Sequence, residues 1–206
     1  MRSTRWWWLL AFTLTGLPLP ARAAVTGFPD VNDTSFVEAN GDRTMQLSIV
    51  VPASAKDAFA AFATADGWKS WAVPFAVGEP RIGATIETSY RLDAKPGDRN
   101  NIKNQFIAWL PEHLVVFRNV QAAPDFRNAD LFAQVVSIVE FESLGPASTR
   151  IVISGVGYGT GPGFDDLYQM FQSGNAYSLM QLKKRFTTGP VDWKTVLAPK
   201  LEPAKK

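Results

Sequence analysis

The last third of the sequence carries a long stripe of apolar and small residues at helical spacing. The stripe consists of Phe164, Leu167, Tyr168, Phe171, Gly174, Asn175, Ser178, Leu179, Leu182 and Phe186. Acidic residues occupy its first turn and basic residues its last turn, which complements the dipole of a helix. Gly189-Pro190 then ends the pattern. The sequence therefore predicts one long C-terminal helix whose apolar face needs a second surface to cover it.

An antiparallel sheet is predicted upstream of this helix, because the pattern there changes to a period of two. From residue 82, Ile86, Thr88, Tyr90 and Leu92 share one face of a strand, opposite Glu87. Further strands are predicted at 102–109, 114–121, 133–143 and 148–157, with turn residues between them. This spacing is typical of an antiparallel meander. The stretch 122–131 is a longer loop, which we expect to form the rim of a cavity.

The segment before the meander predicts two further strands and two short helices. Residues 24–33 show no pattern and are expected to form an irregular leader. Strands at 35–39 and 44–51 flank Asn40-Gly41, a dipeptide suited to a hairpin turn. Ser54 and Asp57 have the spacing of a helix capping box, and the apolar stripe that follows ends at Gly67. Residues 68–71 suggest one more helical turn.

The first 23 residues read as a cleavable secretory signal. Two arginines precede an uncharged, mostly apolar run from Trp6 to Leu17, and Ala21 and Ala23 provide the small residues that signal peptidase recognises. The apolar run is too short for a stable membrane anchor, which takes about 20 residues. The sequence therefore predicts a periplasmic or secreted protein with no stable membrane anchor after cleavage.

Charge and composition exclude several kinds of function. The whole chain has 21 basic and 19 acidic residues, and three of the arginines lie within residues 1–23, which leaves 18 basic and 19 acidic residues in the mature chain. A nearly neutral chain of this kind predicts no nucleic-acid partner. The sequence has no cysteine, no clustered set of metal ligands and a single histidine, His113, in a predicted turn. No metal and no cofactor is predicted, and the oligomeric state is left open.

The order of these elements resembles the SRPBCC or START-like superfamily. VVPASAKDAFAAFATADGWKSW, from Val50 to Trp71, is similar to its strand–helix–helix opening. IGATIETSYR, residues 82–91, and NQFIAWLPEHLVVFRN, residues 104–119, are similar to its second strand and to its strand–turn–strand segment. The resemblance covers roughly residues 44–187. It implies an α+β helix-grip fold, in which a curved antiparallel sheet wraps around the long C-terminal helix. We assign residues 24–187 to this domain and 188–206 to a C-terminal tail.

The resemblance also implies a cavity between the sheet and the last helix. Members of the superfamily hold small hydrophobic molecules there, and some catalyse cyclisation or hydrolysis. The expected ligand-binding residues are Trp71, Phe75, Tyr90, Phe106, Phe117, Phe132, Tyr168, Phe171 and Asn175. Each aromatic residue in this set has an alternative role as ordinary core. Gly174 in mid-helix is expected on the apolar face, where it leaves space for the sheet or a ligand.

Three functions follow as hypotheses. The first is a periplasmic binding or carrier protein for a small hydrophobic ligand. The second is a cyclase- or hydrolase-type enzyme in the same cavity, with Tyr90 or Glu87 as the acid–base group. The third is an interaction module whose cavity is closed and whose surface meets a partner protein. No catalytic residue is assigned, because the fold alone does not choose between these functions.

Overall fold

A computed structural model describes residues 23–198, so the predicted signal apart from Ala23 and the end of the predicted tail lie outside the described residues. Within them the strands are β1 (Ala23–Val25), β2 (Phe28–Asp33), β3 (Phe36–Val37), β4 (Arg43–Val51), β5 (Phe75–Val77), β6 (Thr85–Ser89), β7 (Ile102–Leu110), β8 (Leu114–Gln121), β9 (Val136–Gly145) and β10 (Ser148–Tyr158). The helices are α1 (Ala55–Ala63), α2 (Ala65–Lys69), α3 (Ala129–Phe132), α4 (Pro162–Thr188) and α5 (Trp193–Val196).

The strands form one antiparallel sheet in the order β1-β2-β4-β10-β9-β8-β7-β6-β5, and β3 also pairs with β4. The meander predicted from residue 82 onward is confirmed, from β6 through β10. Pairing of β10 with β4 brings the last strand next to an early one, with Ile151 opposite Ile49. The helices pack on one side of this sheet, and the predicted α+β helix-grip architecture is confirmed.

The predicted N-terminal hairpin is also confirmed. In β3 and β4, Phe36 lies opposite Thr44 and Val37 opposite Arg43. Gly41 has a φ of 90°, in the left-handed region that a glycine tolerates. The expectation of an irregular leader at 24–33 is wrong, because β1 and β2 form there. Those strands exist because β4 has a free edge, with which Asn32 and Asp33 of β2 pair.

The helices α1 and α2 form a tightly joined pair. The Ser54 hydroxyl accepts a hydrogen bond from the Asp57 amide at 3.1 Å, as the predicted cap requires. Gly67 does not end the first helix as predicted, because Thr64 separates the two helices and Gly67 lies inside α2. A Cβ atom at Gly67 would lie 2.0 Å from the Ala60 carbonyl oxygen, so only a glycine permits this approach of α2 to α1.

The long C-terminal helix is confirmed as a single element of 27 residues. It lies over β2, β4 and β10 and buries Leu167, Ala176, Leu179 and Leu182. The expected place of Gly174 on the apolar face is wrong, because this residue is exposed. A Cβ there would contact nothing within 4 Å, so the space beside it is open. Around the helix axis Gly174 lies at the border of the buried face, which centres on Leu179 and Leu182 in the C-terminal half.

Candidate ligand-binding site

Three of the predicted ligand-binding residues lie in a closely packed aromatic cluster. Trp71, Phe106 and Phe117 are all buried. The Trp68 and Trp71 rings stack with centroids 5.7 Å apart, and Phe106 and Phe117 lie 5.2 Å apart. The cluster continues from ring to ring through Phe59, Phe62, Trp109 and Phe141. These side chains fill the space between the sheet and the helix pair and act as core.

A row of polar side chains continues the same face of the sheet beyond this cluster. The Trp68 ring contacts Phe117, so Phe117 points toward the helices. Asn119 is two residues farther along β8 and points the same way, as does its cross-strand partner Asn104. Ser137 lies directly opposite Phe117 on β9. We call Asn104, Asn119 and Ser137 the inner polar row.

The inner polar row retains free hydrogen-bonding capacity. Asn119 is buried and its amide nitrogen donates to Asn104 Oδ1 at 3.1 Å and to backbone carbonyls of β7 and β8. Within residues 23–198, no donor reaches Asn119 Oδ1, and the Asn104 amide nitrogen and the Ser137 hydroxyl have no partner. Asn104 and Ser137 are half-buried. The helices therefore leave this end of the inner face partly open.

A second aromatic group joins the segment between β8 and β9 to α4. Phe132 of α3 and Phe171 of α4 have ring centroids 4.6 Å apart, and Phe126 lies 5.4 Å from Phe132. All three are half-buried. The segment that carries Phe126 and Phe132 leaves the sheet after Gln121 and returns at Val136, next to the inner polar row. The inner polar row and these three rings define what we call the inner cleft.

Asn175 and Tyr168 lie toward the other side of α4. The Asn175 amide nitrogen is 3.8 Å from the sulfur of Met45 on β4. Met45 on β4 and Ser137 on β9 both pair with Gly155 of β10, from opposite sides. Met45 and Ser137 are therefore two strand spacings apart, about 10 Å across the sheet. The Tyr168 ring lies under the Arg43 guanidinium, at 4.8 Å.

Tyr168 also packs against a buried phenol. Its ring is 5.2 Å from that of Tyr158, edge to face, and Tyr158 is 1% exposed. Burial, with a smaller contribution from neighbouring Tyr168, raises the pKa of Tyr158 well above its ordinary value. This phenol is therefore protonated at physiological pH. The Arg43 guanidinium forms an ion pair with Asp165 at 2.8 Å. This pair holds the first turn of α4 beside the two tyrosines.

The structure does not bring Phe75, Tyr90 or Glu87 to the inner cleft. β6 ends at Ser89, earlier than predicted, and Tyr90 is 68% exposed beyond it. Glu87 is buried and accepts hydrogen bonds from the Gly97 amide and the Asn101 side chain, both at 2.7 Å. Phe75 pairs with Ser89 and so shares the face of Glu87, away from Ile86 in the core. The loop 93–101 covers this outer face, which is why both faces of β6 are buried.

Two hollows lie elsewhere in the part of the chain that the structure describes. One, of about 430 Å³, lies between α1, α2 and the last turn of α4. The other, of about 230 Å³, lies between the start of α1 and the turns at Glu112 and Gly145, and it includes His113. His113 occupies the predicted turn and is exposed. Neither hollow is lined by the inner polar row.

Residues 23–198 contain neither a cluster of metal ligands nor a membrane-spanning helix. In that part of the chain, no three histidine or acidic side chains converge to hold a metal ion. Within the same range, no helix combines the length and the apolar character that spanning a bilayer requires.

The inner polar row was not predicted from the sequence. Its signal was present, because Asn104 alternates with Phe106 on β7, and Asn119 alternates with Phe117 on β8. A period of two places each asparagine on the same face as a core phenylalanine.

Comparison with known proteins supports the architecture. The family model described as activator of Hsp90 ATPase homolog 1-like protein (AHSA1) matches residues 52–187. The comparison with curated proteins found no match.

Several solved structures share the fold. The Aha1 dimer from Colwellia psychrerythraea is 17% identical, with a TM-score of 0.56 over 71% of this chain and 97% of that one. CalU16 from Micromonospora echinospora is 12% identical, with a TM-score of 0.54 over 78% and 86%. Protein MLL2253 from Mesorhizobium loti is 14% identical, with a TM-score of 0.55 over 72% and 100%.

At these sequence identities, the solved structures show only that the fold is shared. The family match is of a different kind, because it spans well over half of the sequence and runs from the start of the helix pair to the end of α4. The resemblance to the SRPBCC superfamily is thereby confirmed, and the chain belongs to the AHSA1 family.

Proposed function

We propose that this protein binds a small, mostly apolar molecule in the inner cleft and acts as a periplasmic binding or carrier protein. The observation that carries the proposal is the inner polar row, whose unpartnered groups point toward the helices beside aromatic rings. Ligand sites are mostly apolar and contain a few polar groups that fix orientation. Membership of the AHSA1 family agrees with a role in ligand binding or in cyclase-type chemistry.

The ligand class follows from the groups that line the inner cleft. Phe126, Phe132 and Phe171 offer ring faces and edges to a flat or branched apolar body. The inner polar row offers a donor from Asn104 and an acceptor from Asn119, and the Ser137 hydroxyl serves as either. None of these groups is charged. The ligand is therefore a neutral, largely hydrophobic molecule with a hydroxyl or carbonyl group at one end.

Binding is favoured over acid–base catalysis by the positions of the residues considered for that role. Glu87 holds the loop 93–101 on the outer face, and Tyr90 is exposed beyond the end of β6. A general acid or base must reach the reacting atom within hydrogen-bond distance. Neither residue lies in the inner cleft, so a cyclase-type activity there would depend on orientation by the inner polar row.

An interaction with a partner protein is the second candidate. This candidate is favoured by the burial of Trp71, Phe106 and Phe117. These rings fill the space between the sheet and the helix pair, so no large cavity is left there. In that case the protein holds no ligand, and the inner cleft is part of the core.

Native mass spectrometry separates the two candidates. The full chain is expressed in a Gram-negative bacterium, purified from the periplasm, and measured before and after denaturation. We expect a stoichiometric excess mass that is released on denaturation and extracts into organic solvent. An apo mass from every preparation, together with failure to bind fluorescent hydrophobic probes, would reject the carrier function in favour of the partner-protein function.

A matched pair of variants assigns the site. Asn104→Leu removes the amide that faces the inner cleft, whereas Gln105→Leu changes its neighbour on the outer face of β7. We expect affinity for the extracted ligand to fall at least tenfold in Asn104→Leu and to stay within twofold in Gln105→Leu. Equal effects of the two substitutions would place the ligand elsewhere.

A further inference from the structure

The outer face of the sheet, opposite the helices, carries apolar residues where polar ones are expected. Along β8, β9 and β10 the chain reads Leu-Val-Val-Phe (114–117), Val-Ser-Ile-Val (136–139) and Ile-Val-Ile-Ser (151–154). Apolar residues therefore occupy outward positions as well as inward ones. Continuous apolar runs of this kind are typical of strands that are covered on both faces, whereas a strand with one face in water normally alternates with polar residues. The sequence of these strands thus indicates a second cover for the sheet.

The cross-strand register brings the outward apolar residues together. Val116 of β8 lies opposite Ile138 on β9 and Ala108 on β7. The next outward residue of β8, Leu114, lies opposite Leu110. We call the following six residues of β7 to β10 the outer patch: Ala108, Leu110, Leu114, Val116, Ile138 and Val152. Val116 and Ile138 form its centre.

Val116 shows that the outer patch is a packed surface. It is 9% exposed, yet it does not belong to the core cluster between the sheet and the helices. Its neighbours Val115 and Phe117, which point inward, do belong to that cluster. Side chains on the outer face therefore close around Val116, although the helices of residues 23–198 lie on the other side of the sheet. At the edge of the outer patch, Leu110 remains 56% exposed.

Two charged side chains stand at opposite corners of the outer patch. Arg118 is two residues beyond Val116 on β8, and Glu140 is two residues beyond Ile138 on β9. Because these strands are antiparallel, the two charges lie on opposite sides of the central pair. Both side chains are exposed, and within residues 23–198 neither forms an ion pair. The outer patch thus has one unpaired positive and one unpaired negative charge, placed symmetrically about its centre.

We propose that a second copy of this chain covers the outer patch. A two-fold axis that lies in the interface and passes through the centre of the patch exchanges the positions of Arg118 and Glu140. Arg118 of each copy then faces Glu140 of the other, so that two ion pairs flank an apolar centre, as in other protein interfaces. Stacked sheets lie about 10 Å apart, a distance that these two long side chains span together. One surface serves both copies, as a two-fold dimer requires.

The dimer is expected to be weak. The outer patch spans four strands, about 14 Å. The sheet curves around its helices, so its outer face is convex and the contact is confined to the outer patch and its rim. An interface at the small end of the range predicts a dissociation constant of about 10–100 µM. The inner cleft lies on the opposite face of the sheet, so the dimer is independent of the proposed ligand.

Analytical ultracentrifugation tests the dimer with charge-reversal variants. The full chain is expressed, purified and sedimented at concentrations from well below to well above the expected dissociation constant, and we expect a reversible monomer–dimer equilibrium. Glu140→Arg and Arg118→Glu should each weaken self-association at least tenfold, because each creates two contacts between like charges. Asp166→Arg makes the same change of charge at an exposed position of α4, on the other side of the sheet, and should stay within twofold of the unchanged protein.

A mixture of the two weakened variants makes the test specific to this interface. In a mixed dimer of Glu140→Arg and Arg118→Glu, both contacts join opposite charges, so the equimolar mixture should associate as tightly as the unchanged protein, within twofold. The mixture also shows that both variants are folded, because misfolded chains could not form this dimer. A monomer at every concentration, a dimer that the charge reversals leave intact, or a mixture no tighter than its separate components would each overturn the proposal.

Discussion

Tyr158 is the largest of the almost completely buried side chains in residues 23–198. Its burial makes the stability of the fold depend on pH in the alkaline range. Burial raises the pKa of Tyr158 above its ordinary value, so the folded protein keeps this phenol neutral. In the unfolded chain the phenol ionises near pH 10. A raised pKa in the folded state contributes stability that is complete below pH 10. That contribution is lost as the pH rises above 10, because only the unfolded state then releases the proton.

The Tyr158→Phe variant tests this coupling. We expect the wild-type free energy of unfolding to fall between pH 10 and 11 with an extra slope of up to about 1.4 kcal/mol per pH unit that the variant lacks. Urea unfolding at several pH values measures it. Tyr177→Phe, at an exposed position on α4, serves as the control and should keep the wild-type slope. Identical slopes in all three proteins would mean that the phenol titrates normally.

At the scale of helices, two glycines with the same intrinsic propensity have opposite packing roles. Gly67 in α2 faces the Ala60 carbonyl, where a Cβ would lie at 2.0 Å, whereas Gly174 in α4 faces open space. Alanine is favoured over glycine in a helix by about 1 kcal/mol. We therefore expect Gly174→Ala to stabilise the protein by about 0.5–1 kcal/mol. We expect Gly67→Ala to destabilise it by about 1–3 kcal/mol, because α1 and α2 must move apart.

Thermal and urea unfolding of the two variants measures this difference. A gain of stability in Gly67→Ala would show that the helix pair separates easily. A loss in Gly174→Ala would show that α4 needs the space beside this residue, in line with the role that the sequence alone suggested for it.

Most of the elements could be predicted from local patterns, and the failures have physical causes. The meander strands and α4 carry strong periodicity of two and of 3.6, so their predicted bounds lie close to the observed ones. The sequence does not predict β2, because Phe28–Asp33 contains a proline, two aspartates and an asparagine, all poor strand formers. That strand depends on its pairing with β4, which no local pattern reports. β6 ended early because the loop after it folds back toward Glu87.

At the scale of the whole molecule, the candidate site was only partly predictable. The sequence identified aromatic residues that contact one another, Phe106 with Phe117 and Phe132 with Phe171. It did not separate the rings that fill the core from those that border the inner cleft, because that division depends on where α1, α2 and α4 cover the sheet. The alternation of β6, extended past Ser89, predicts Tyr90 in the site, but the strand stops at Ser89.

Export of the chain would set the compartment in which any ligand is met. Cleavage after Ala23 would make Ala24 the first residue of the mature chain. The pairing of Ala24 with Asn32 and of Val25 with Phe28 then survives, and only the pairing of Ala23 with Asp33 is lost. Processing at this point is therefore compatible with the fold.

We expect the full chain, expressed with a C-terminal tag in a Gram-negative bacterium, to appear in the periplasm with the N-terminal sequence Ala-Val-Thr-Gly, residues 24–27. Fractionation and N-terminal sequencing measure this. Ala23→Leu should block processing, because signal peptidase needs a small residue before the cut, whereas Arg22→Gln should be processed normally. Protein that begins at Met1 and stays in the cytoplasm would refute the export signal. The inner cleft would then have to take its ligand from the cytoplasm.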